Sequence, residues 1–241
     1  MKFNLEFLLK ENCLPIDHAR CFVSFLKKSI QSADAGLYRE LYETNTPKMK
    51  PYTFSLYLPN RKVEGEQLVL SGNKIRMTFS CSDLELAIAF LNGFTEQKGE
   101  IFSLPDRNEM VLTRFTTEMH PAITEDHLVI RFLSPLLVLQ RESELRKNHY
   151  LTWKDENFAQ QLKENLMTQL NEFSINTNYL NSFELVPLKP KQLGQRVFGQ
   201  LVLGNGGIYQ LKGHPELLQF LLEAGIGSRR SAGFGLFEII S

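Results

Sequence analysis

Alternating apolar and polar residues predict strands along much of the chain, and apolar residues three and four positions apart predict helices between them. Residues 2 to 9 alternate in the manner of a half-buried strand. Asp17 stands where a helix N-cap is expected, ahead of a helix through about residue 31. A second, short helix is predicted near residues 34 to 43, ended by Pro47. The predicted apolar face of the first helix consists of Ala19, Phe22, Val23, Leu26 and Ile30.

The next segments predict further strands, a hairpin and another long helix. Gly72 and Asn73 indicate the turn of a hairpin. Ser82 or Asp83 can cap the helix, which should run to about Glu96. Its predicted apolar face is Leu84, Ala87, Ile88 and Leu91. Strands are predicted at residues 52 to 58, 67 to 71, 74 to 80 and 99 to 117. The order strand, helix, strand, strand, helix, strand is that of a ferredoxin-like domain.

The second half repeats this order more loosely. A strand region from Leu128 to Gln140 is expected to break at Ser134 and Pro135. The helices are predicted at residues 155 to 173, with Phe158, Leu162, Leu166 and Leu170 along one stripe, and at 215 to 224. The other strands are predicted at residues 182 to 189, 196 to 211 and 234 to 240. We therefore expect an α+β protein of two tandem ferredoxin-like (βαββαβ) domains, residues 1–120 and 121–241.

Composition limits the functions that this architecture can have. The 241 residues, 43% of them hydrophobic, suit two small domains. The 27 basic and 27 acidic side chains give a formal net charge of zero, so a nucleic-acid site must be a local basic patch. The three cysteines fit no zinc spacing and the five histidines form no metal-binding pattern, so neither a metal nor another cofactor is expected. Unpaired cysteines and the lack of a long apolar stretch predict a cytoplasmic protein that does not interact with membranes.

The strongest local signal is a glycine-rich stretch near the end of the chain, residues 225–235, here called the glycine loop. Its glycines permit positive φ and close approach of a ligand, and its other residues offer hydroxyls, N–H groups and two arginines expected to be solvated. A phosphate backbone suits these donors, while a small-molecule phosphate or a plain turn are the open alternatives. The predicted RNA-binding residues are Gly225, Gly227, Ser228, Arg229, Arg230, Ser231, Gly233, Gly235, Lys189 and Lys191. Arg61, Lys62, Arg141, Arg146, Lys147 and Arg196 are weaker candidates for the same surface.

The tail LLEAGIGSRRSAGFGLFEI, residues 221–239, resembles the C-terminal signature of the Cas-six family of CRISPR-associated endoribonucleases. Segments 14–18, 37–42, 47–48, 52–55 and 132–135 follow in the order typical of that family. The resemblance implies two ferredoxin-like domains and a metal-independent endoribonuclease. Such an enzyme cuts CRISPR repeat RNA by 2′-hydroxyl attack, leaving a 2′,3′-cyclic phosphate. It implies repeat RNA as the partner, with subunits of a CRISPR effector complex and a second copy of the chain as further candidates.

The resemblance also places the expected catalytic residues and exposes one departure. Tyr42 occupies the place of the histidine that many members have, Lys27 falls where some members have a tyrosine, and Lys48 matches the family's lysine. Tyrosine, with a pKa near 10, is a poorer base than histidine at neutral pH. Tyr42, Lys27 and Lys48 are therefore the predicted catalytic residues, and Tyr42 packing against Tyr38 is the structural alternative. A catalytically silent repeat-RNA binder and a structural subunit of an effector complex stay open as alternative functions.

The histidines are not expected to replace the missing base. His18 stands at the start of the first helix, where a structural role is expected. The remaining four are predicted to be surface or packing residues: His120, His127, His149 and His214.

Overall fold

The structure, a computed structural model, describes residues 1–44, 48–141, 148–197 and 199–241. The predicted helix stop Pro47 and the basic candidates Arg146 and Lys147 lie outside these ranges. In the first half the strands are β1 (Lys2–Leu9), β2 (Cys13–Pro15), β3 (Tyr52–Tyr57), β4 (Lys62–Glu64), β5 (Gln67–Val69), β6 (Lys74–Cys81), β7 (Ile101–Ser103) and β8 (Glu109–Glu118). The helices are α1 (Ala19–Ala33), α2 (Ala35–Tyr42) and α3 (Leu84–Gln97).

The first half has the predicted ferredoxin-like topology. Its antiparallel sheet has the strand order β3-β6-β1-β8-β7, in which β1, β3, β6 and β8 alternate along the chain with α1 and α3 as the motif requires. A cluster of phenylalanines, among them Phe3, Phe22, Phe79 and Phe94, fills the space between sheet and helices. Gly93 allows α3 to cross α1 closely, since a Cβ there would lie 2.1 Å from the Ser29 carbonyl oxygen.

The second half repeats the topology with one added hairpin. Its strands are β9 (His127–Leu136), β10 (Val138–Arg141), β11 (Asn148–Leu151), β12 (Glu184–Val197), β13 (Gln200–Lys212) and β14 (Phe237–Ile239), and its helices are α4 (Phe158–Glu172) and α5 (Pro215–Ala224). The sheet order β12-β13-β9-β14 is again that of a ferredoxin-like domain, while β10 and β11 pair separately. The predicted stripe of α4 is confirmed, because Phe158, Leu162, Leu166 and Leu170 are all buried.

Two predictions about the first half are wrong. Gly72 and Asn73 do not close a hairpin, because β5 pairs with β2 and β4 whereas β6 pairs with β1 and β3. The predicted face of α3 is also rotated: Leu84 and Ile88 are 59% and 47% exposed, and Phe90 and Phe94 are buried. Since α3 is apolar on most of its surface, periodicity alone could not select the buried side.

Smaller corrections concern the ends of elements. Asp17 is not the N-cap of α1; His18 holds that position without a side-chain cap, and Asp17 Oδ2 accepts from the Gly199 N–H at 3.1 Å. The break after β9 falls at Leu137 rather than at Ser134 and Pro135. Among the described residues, no helix is long and apolar enough to cross a membrane.

Candidate nucleic-acid interface

The glycine loop follows α5 and packs between the two halves of the chain. As predicted, Gly225, Gly227, Gly233 and Gly235 have positive φ, from 74° to 89°. All four are buried, and what approaches them is protein. A Cβ on Gly233 would lie 2.8 Å from Cε2 of Phe54, and one on Gly235 would lie 2.0 Å from the Ile226 carbonyl oxygen. The space that a side chain would need at these glycines is thus occupied by the chain itself.

Hydrogen bonds hold the loop in this place and occupy much of its backbone. The Ser228 N–H donates to the Leu137 carbonyl at 2.9 Å, and the Gly235 N–H donates to the Pro135 carbonyl at 2.9 Å. Thr53 Oγ1 of β3 donates to the Phe234 carbonyl at 2.7 Å, which ties the loop to the other half. The N–H groups of Gly225 and Gly233 also donate to protein carbonyls. A ligand would therefore meet mainly the side chains of this loop.

The two arginines differ in their surroundings. Residues 230–232 form a short 3₁₀ helix, and Arg229 before it has φ of 57° with its guanidinium 5.7 Å from the Tyr150 ring centre. Arg230 is only 5% exposed, so the expectation that both arginines are solvated is wrong for this one. Its Nη2 donates to the Lys50 carbonyl at 3.4 Å, and its Nε is buried without a hydrogen-bond partner in the described part of the chain. Burial lowers the pKa of Arg230 to about 10.

Arg230 faces a cavity of about 470 Å³, here called the loop cleft, that lies between the two halves. Its lining consists of residues 48–50 from the first half, and of residues 227–231, residues of α4 and Leu139 from the second half. Of the described lining residues, four are cationic (Lys48, Lys50, Arg229 and Arg230) and one, Glu164, is acidic. Although the chain has no net charge, positive charge is therefore concentrated in the loop cleft, as an anionic ligand requires.

Next to the loop cleft, two lysines flank Tyr42. The Nζ atoms of Lys27 and Lys50 each lie 4.9 Å from the Tyr42 ring centre. The Tyr42 hydroxyl shares a hydrogen bond of 2.6 Å with the Tyr52 hydroxyl, and burial raises the pKa of Tyr42 to about 12. Burial and the nearby charge of Lys27 lower the pKa of Lys50. The structure thus places an ammonium with a lowered pKa beside a tyrosine that holds its proton firmly.

The predicted catalytic set is only partly assembled. Lys27 and Tyr42 are in contact, whereas Lys48 forms an ion pair with Glu40 at 3.0 Å, although it also lines the loop cleft. Lys50, which sequence reasoning missed, takes the place beside Tyr42. The available signal was its position two residues beyond Lys48, where an extended chain turns its side chain to the same side.

The other predicted residues lie outside this assembly. Lys189 and Lys191 are exposed on β12, at the edge of the second sheet, and do not line the loop cleft. No histidine occurs among the described residues that line it. His18 is buried, and its burial lowers its pKa to about 4, so a structural role agrees with its surroundings. In the described ranges no three His, Cys, Asp or Glu side chains are grouped so that they could hold a metal ion.

Comparisons with known proteins agree with this fold. No curated protein matches the chain. A structure reported as the characterization of a Cas6-related gene from Pyrococcus furiosus superposes with a TM-score of 0.84 at 19% identity, covering 100% of this chain and 98% of that one. A RAMP protein binding different RNA substrates gives 0.82 at 18% identity, covering 100% of both chains. A Cas6 product complex gives 0.68 at 16% identity, covering 99% of both.

These likenesses establish the tandem ferredoxin-like fold along the whole chain. The family comparison shows which family the chain comes from. Residues 117–239, half of the chain, match the model of the C-terminal part of CRISPR associated protein Cas6. That segment includes the glycine loop and every strand of the second sheet. The chain therefore belongs to the Cas6 family of CRISPR-associated RNA-processing proteins.

Proposed function

We propose that the protein binds CRISPR repeat RNA in the loop cleft and cuts it slowly without a metal ion. The cut is made by attack of a 2′-hydroxyl on its own phosphate and leaves a 2′,3′-cyclic phosphate upstream. The observation on which this proposal rests is the set of four cations contributed to one cleft by both halves of the chain. Family membership supports RNA as the ligand, because members of the Cas6 family are endoribonucleases.

The buried guanidinium of Arg230 supports a phosphate as the group that is bound. Arg230 is 5% exposed and its Nε has no partner, and among the described residues no carboxylate pairs with it, as normally happens for a buried charge. A phosphodiester entering the loop cleft would supply both the negative charge and an acceptor for Nε. Ser231 and Arg229 line the same cleft and can contact neighbouring phosphate oxygens.

Lys50 is the group best suited to start the cleavage. Its lowered pKa increases the fraction of neutral amine, which can accept the proton of the attacking 2′-hydroxyl. The 2′-oxygen then bonds to phosphorus, and the 5′-oxygen leaves with a proton from the Lys27 ammonium. Tyr42 positions the two amines through contacts to its ring. Since the neutral amine is the reactive form, the cleavage rate should rise with pH above neutrality.

The test is single-turnover cleavage of repeat RNA in EDTA by matched lysine variants. Lys50→Met should lower the rate by about 10²- to 10³-fold, the loss typical of a positioned proton-transfer or charge-stabilising group, with a small effect on affinity. Lys48→Met, which removes an exposed lysine paired with Glu40, should change the rate much less. Replacing the scissile 2′-hydroxyl by hydrogen should stop cleavage and leave binding intact. Equal losses in the two variants, or cutting that requires magnesium, contradict the mechanism.

A catalytically silent repeat-RNA binder is the second candidate, and the bond between Tyr42 and Tyr52 favours it. A phenol with a pKa near 12 and an occupied hydroxyl is not a base at neutral pH. Saturable repeat-RNA binding without cleavage between neutral and alkaline pH, including under single-turnover conditions, would establish this candidate instead.

A further inference from the structure

The first sheet has an exposed aromatic residue at the end of β3, on the face that does not contact α1 and α3. Tyr57 is 57% exposed, and the pairing register places it beside Arg76 of β6. Arg76 pairs on its other side with Glu6 of β1, and Glu6 pairs with Arg114 of β8. Directly paired residues of antiparallel strands point to the same face, so these four side chains form one row across four strands. The row lies on the side of the sheet opposite to α1 and α3, because the neighbouring residues Ile75 and Met77 belong to the helix-facing core.

The charge of this face is positive and largely unpaired. The Arg76 guanidinium lies 4.6 Å from the Tyr57 ring centre, and Lys74 is two residues earlier on the same strand and face. Within the described ranges, no carboxylate lies at ion-pair distance from Lys74, Arg76 or Arg114. A groove of about 710 Å³ runs beside the row, lined by Glu6, Leu8, Tyr57, Pro59, Lys74 and Arg76.

We propose that this surface, the Tyr57 platform (Glu6, Leu8, Tyr57, Lys74, Arg76 and Arg114), binds single-stranded RNA at a site separate from the loop cleft. A base stacks on the exposed Tyr57 and Arg76 planes, and the cations contact the flanking phosphates. Aromatic rings and guanidinium planes stack unpaired bases in this way, and basic grooves track the strand. The proposal rests on the proposed function, because it gives the same RNA a second point of attachment.

A groove between the two halves connects this platform to the back of the glycine loop. Tyr57 lines that groove together with Arg61, Phe54 and Gly233, as well as the groove of the platform. An RNA strand following the junction of the two halves would therefore meet Tyr57 next. This continuity, together with unpaired cations around an exposed ring, favours RNA over an acidic peptide as the occupant.

The platform can be tested directly by fluorescence. Trp153 is the single tryptophan of the chain, so Tyr57→Trp in a Trp153→Phe background reports only on the platform. A short oligouridine should quench this fluorescence saturably, and quenching should weaken as salt is raised. Quenching by polyglutamate but not by oligouridine, or by neither, overturns the proposal.

The affinity for repeat RNA provides the second measurement. Tyr57→Ala should weaken binding by about 5- to 150-fold, the range expected for one stacked base. Tyr57→Phe keeps the ring and should bind like the wild type, as should Ile101→Ala, which truncates a 60% exposed residue at the far edge of the same sheet. Unchanged affinity of Tyr57→Ala, with weakened binding of Arg230→Met, overturns the platform and keeps the loop cleft. Quenching by oligouridine in a protein that does not prefer repeat RNA keeps the platform and overturns the proposed function.

Discussion

Arg230 offers the sharpest separation of a binding role from a structural one. Because its guanidinium is buried and no carboxylate in the described part of the chain pairs with it, Arg230 should destabilise the free protein and strengthen binding of an anion. Arg230→Met keeps most of the volume and removes the charge. We expect this variant to be more stable than the wild type and to bind repeat RNA more weakly, a combination that a structural residue would not produce.

The magnitude follows from the surroundings of the side chain. Burial lowers the pKa of Arg230 to about 10, which corresponds to roughly 3 kcal/mol by which burial disfavours the charged form. Against this stand one long hydrogen bond to the Lys50 carbonyl, worth about 0.5–1.5 kcal/mol, and the Phe173 ring 5.7 Å away, worth about 0.5–1 kcal/mol. The free energy of unfolding should therefore rise by about 1 kcal/mol. RNA binding should weaken by about 10- to 150-fold, as expected for a charge-assisted hydrogen bond.

Two measurements on the same preparations check this expectation. Urea denaturation gives the free energy of unfolding, and binding titrations over a range of salt concentrations give the affinity and the slope of log K against log salt. The slope should flatten by about 0.7–0.9 for the lost phosphate contact. Arg229→Met, the matched neighbour, should weaken binding without the gain in stability. A less stable Arg230→Met protein with unchanged affinity and salt slope would show that the guanidinium only ties the glycine loop to residues 48–50.

Three further predictions concern His18, Gly233 and Tyr42. Burial lowers the pKa of His18 to about 4, so between about pH 6.5 and 4 the unfolded chain binds a proton that the folded chain does not. The free energy of unfolding should therefore decrease as the pH is lowered through that window. Urea unfolding should show a loss of about 2 kcal/mol by pH 5 that is absent in His18→Leu and present in a His127→Gln control. Gly233→Val should lower the free energy of unfolding by at least about 2 kcal/mol and weaken RNA binding, because φ is 89° and the new Cβ would meet the Phe54 ring. Gly65→Ala is the control for backbone strain alone, since Gly65 has φ of 61° and a Cβ there would meet no other atom within 4 Å. Tyr42→His should accelerate single-turnover cleavage, since it sets an imidazole next to Lys27 and Lys50, whereas Tyr42→Phe should not. A folded Tyr42→His protein with no gain in rate would show that position 42 does not lie beside the scissile phosphate.

Local patterns in the sequence were sufficient for the order of the elements. Strand alternation, the Asp83 cap of α3 and the stripe of α4 predict structure within a few residues, because they depend on contacts of near neighbours. The positive φ of the four loop glycines was predictable for the same reason, since only glycine adopts that conformation without strain. The family signature in residues 221–239 likewise needs no coordinates.

Tertiary structure decided which partners these elements choose. The Gly72-Asn73 segment predicts a hairpin locally, yet β6 pairs with β1 and β3 in the main sheet, where its apolar residues Ile75, Met77 and Phe79 are buried. Strand pairing depends on the whole core, so a local turn signal does not determine it.

The candidate site shows the same division. The sequence by itself was sufficient to locate the basic glycine loop and to predict that Tyr42 stands where many members of the family have a histidine. Only the fold decided that Arg230 is buried and that Lys50 rather than Lys48 lies beside Tyr42. It also brought Lys50 and Arg230, which are 180 positions apart in the sequence, to the same cleft. The burial of Arg230 arises from packing between the two halves, whereas the contact of Lys50 with Tyr42 arises from packing within the first half. No local periodicity encodes either contact.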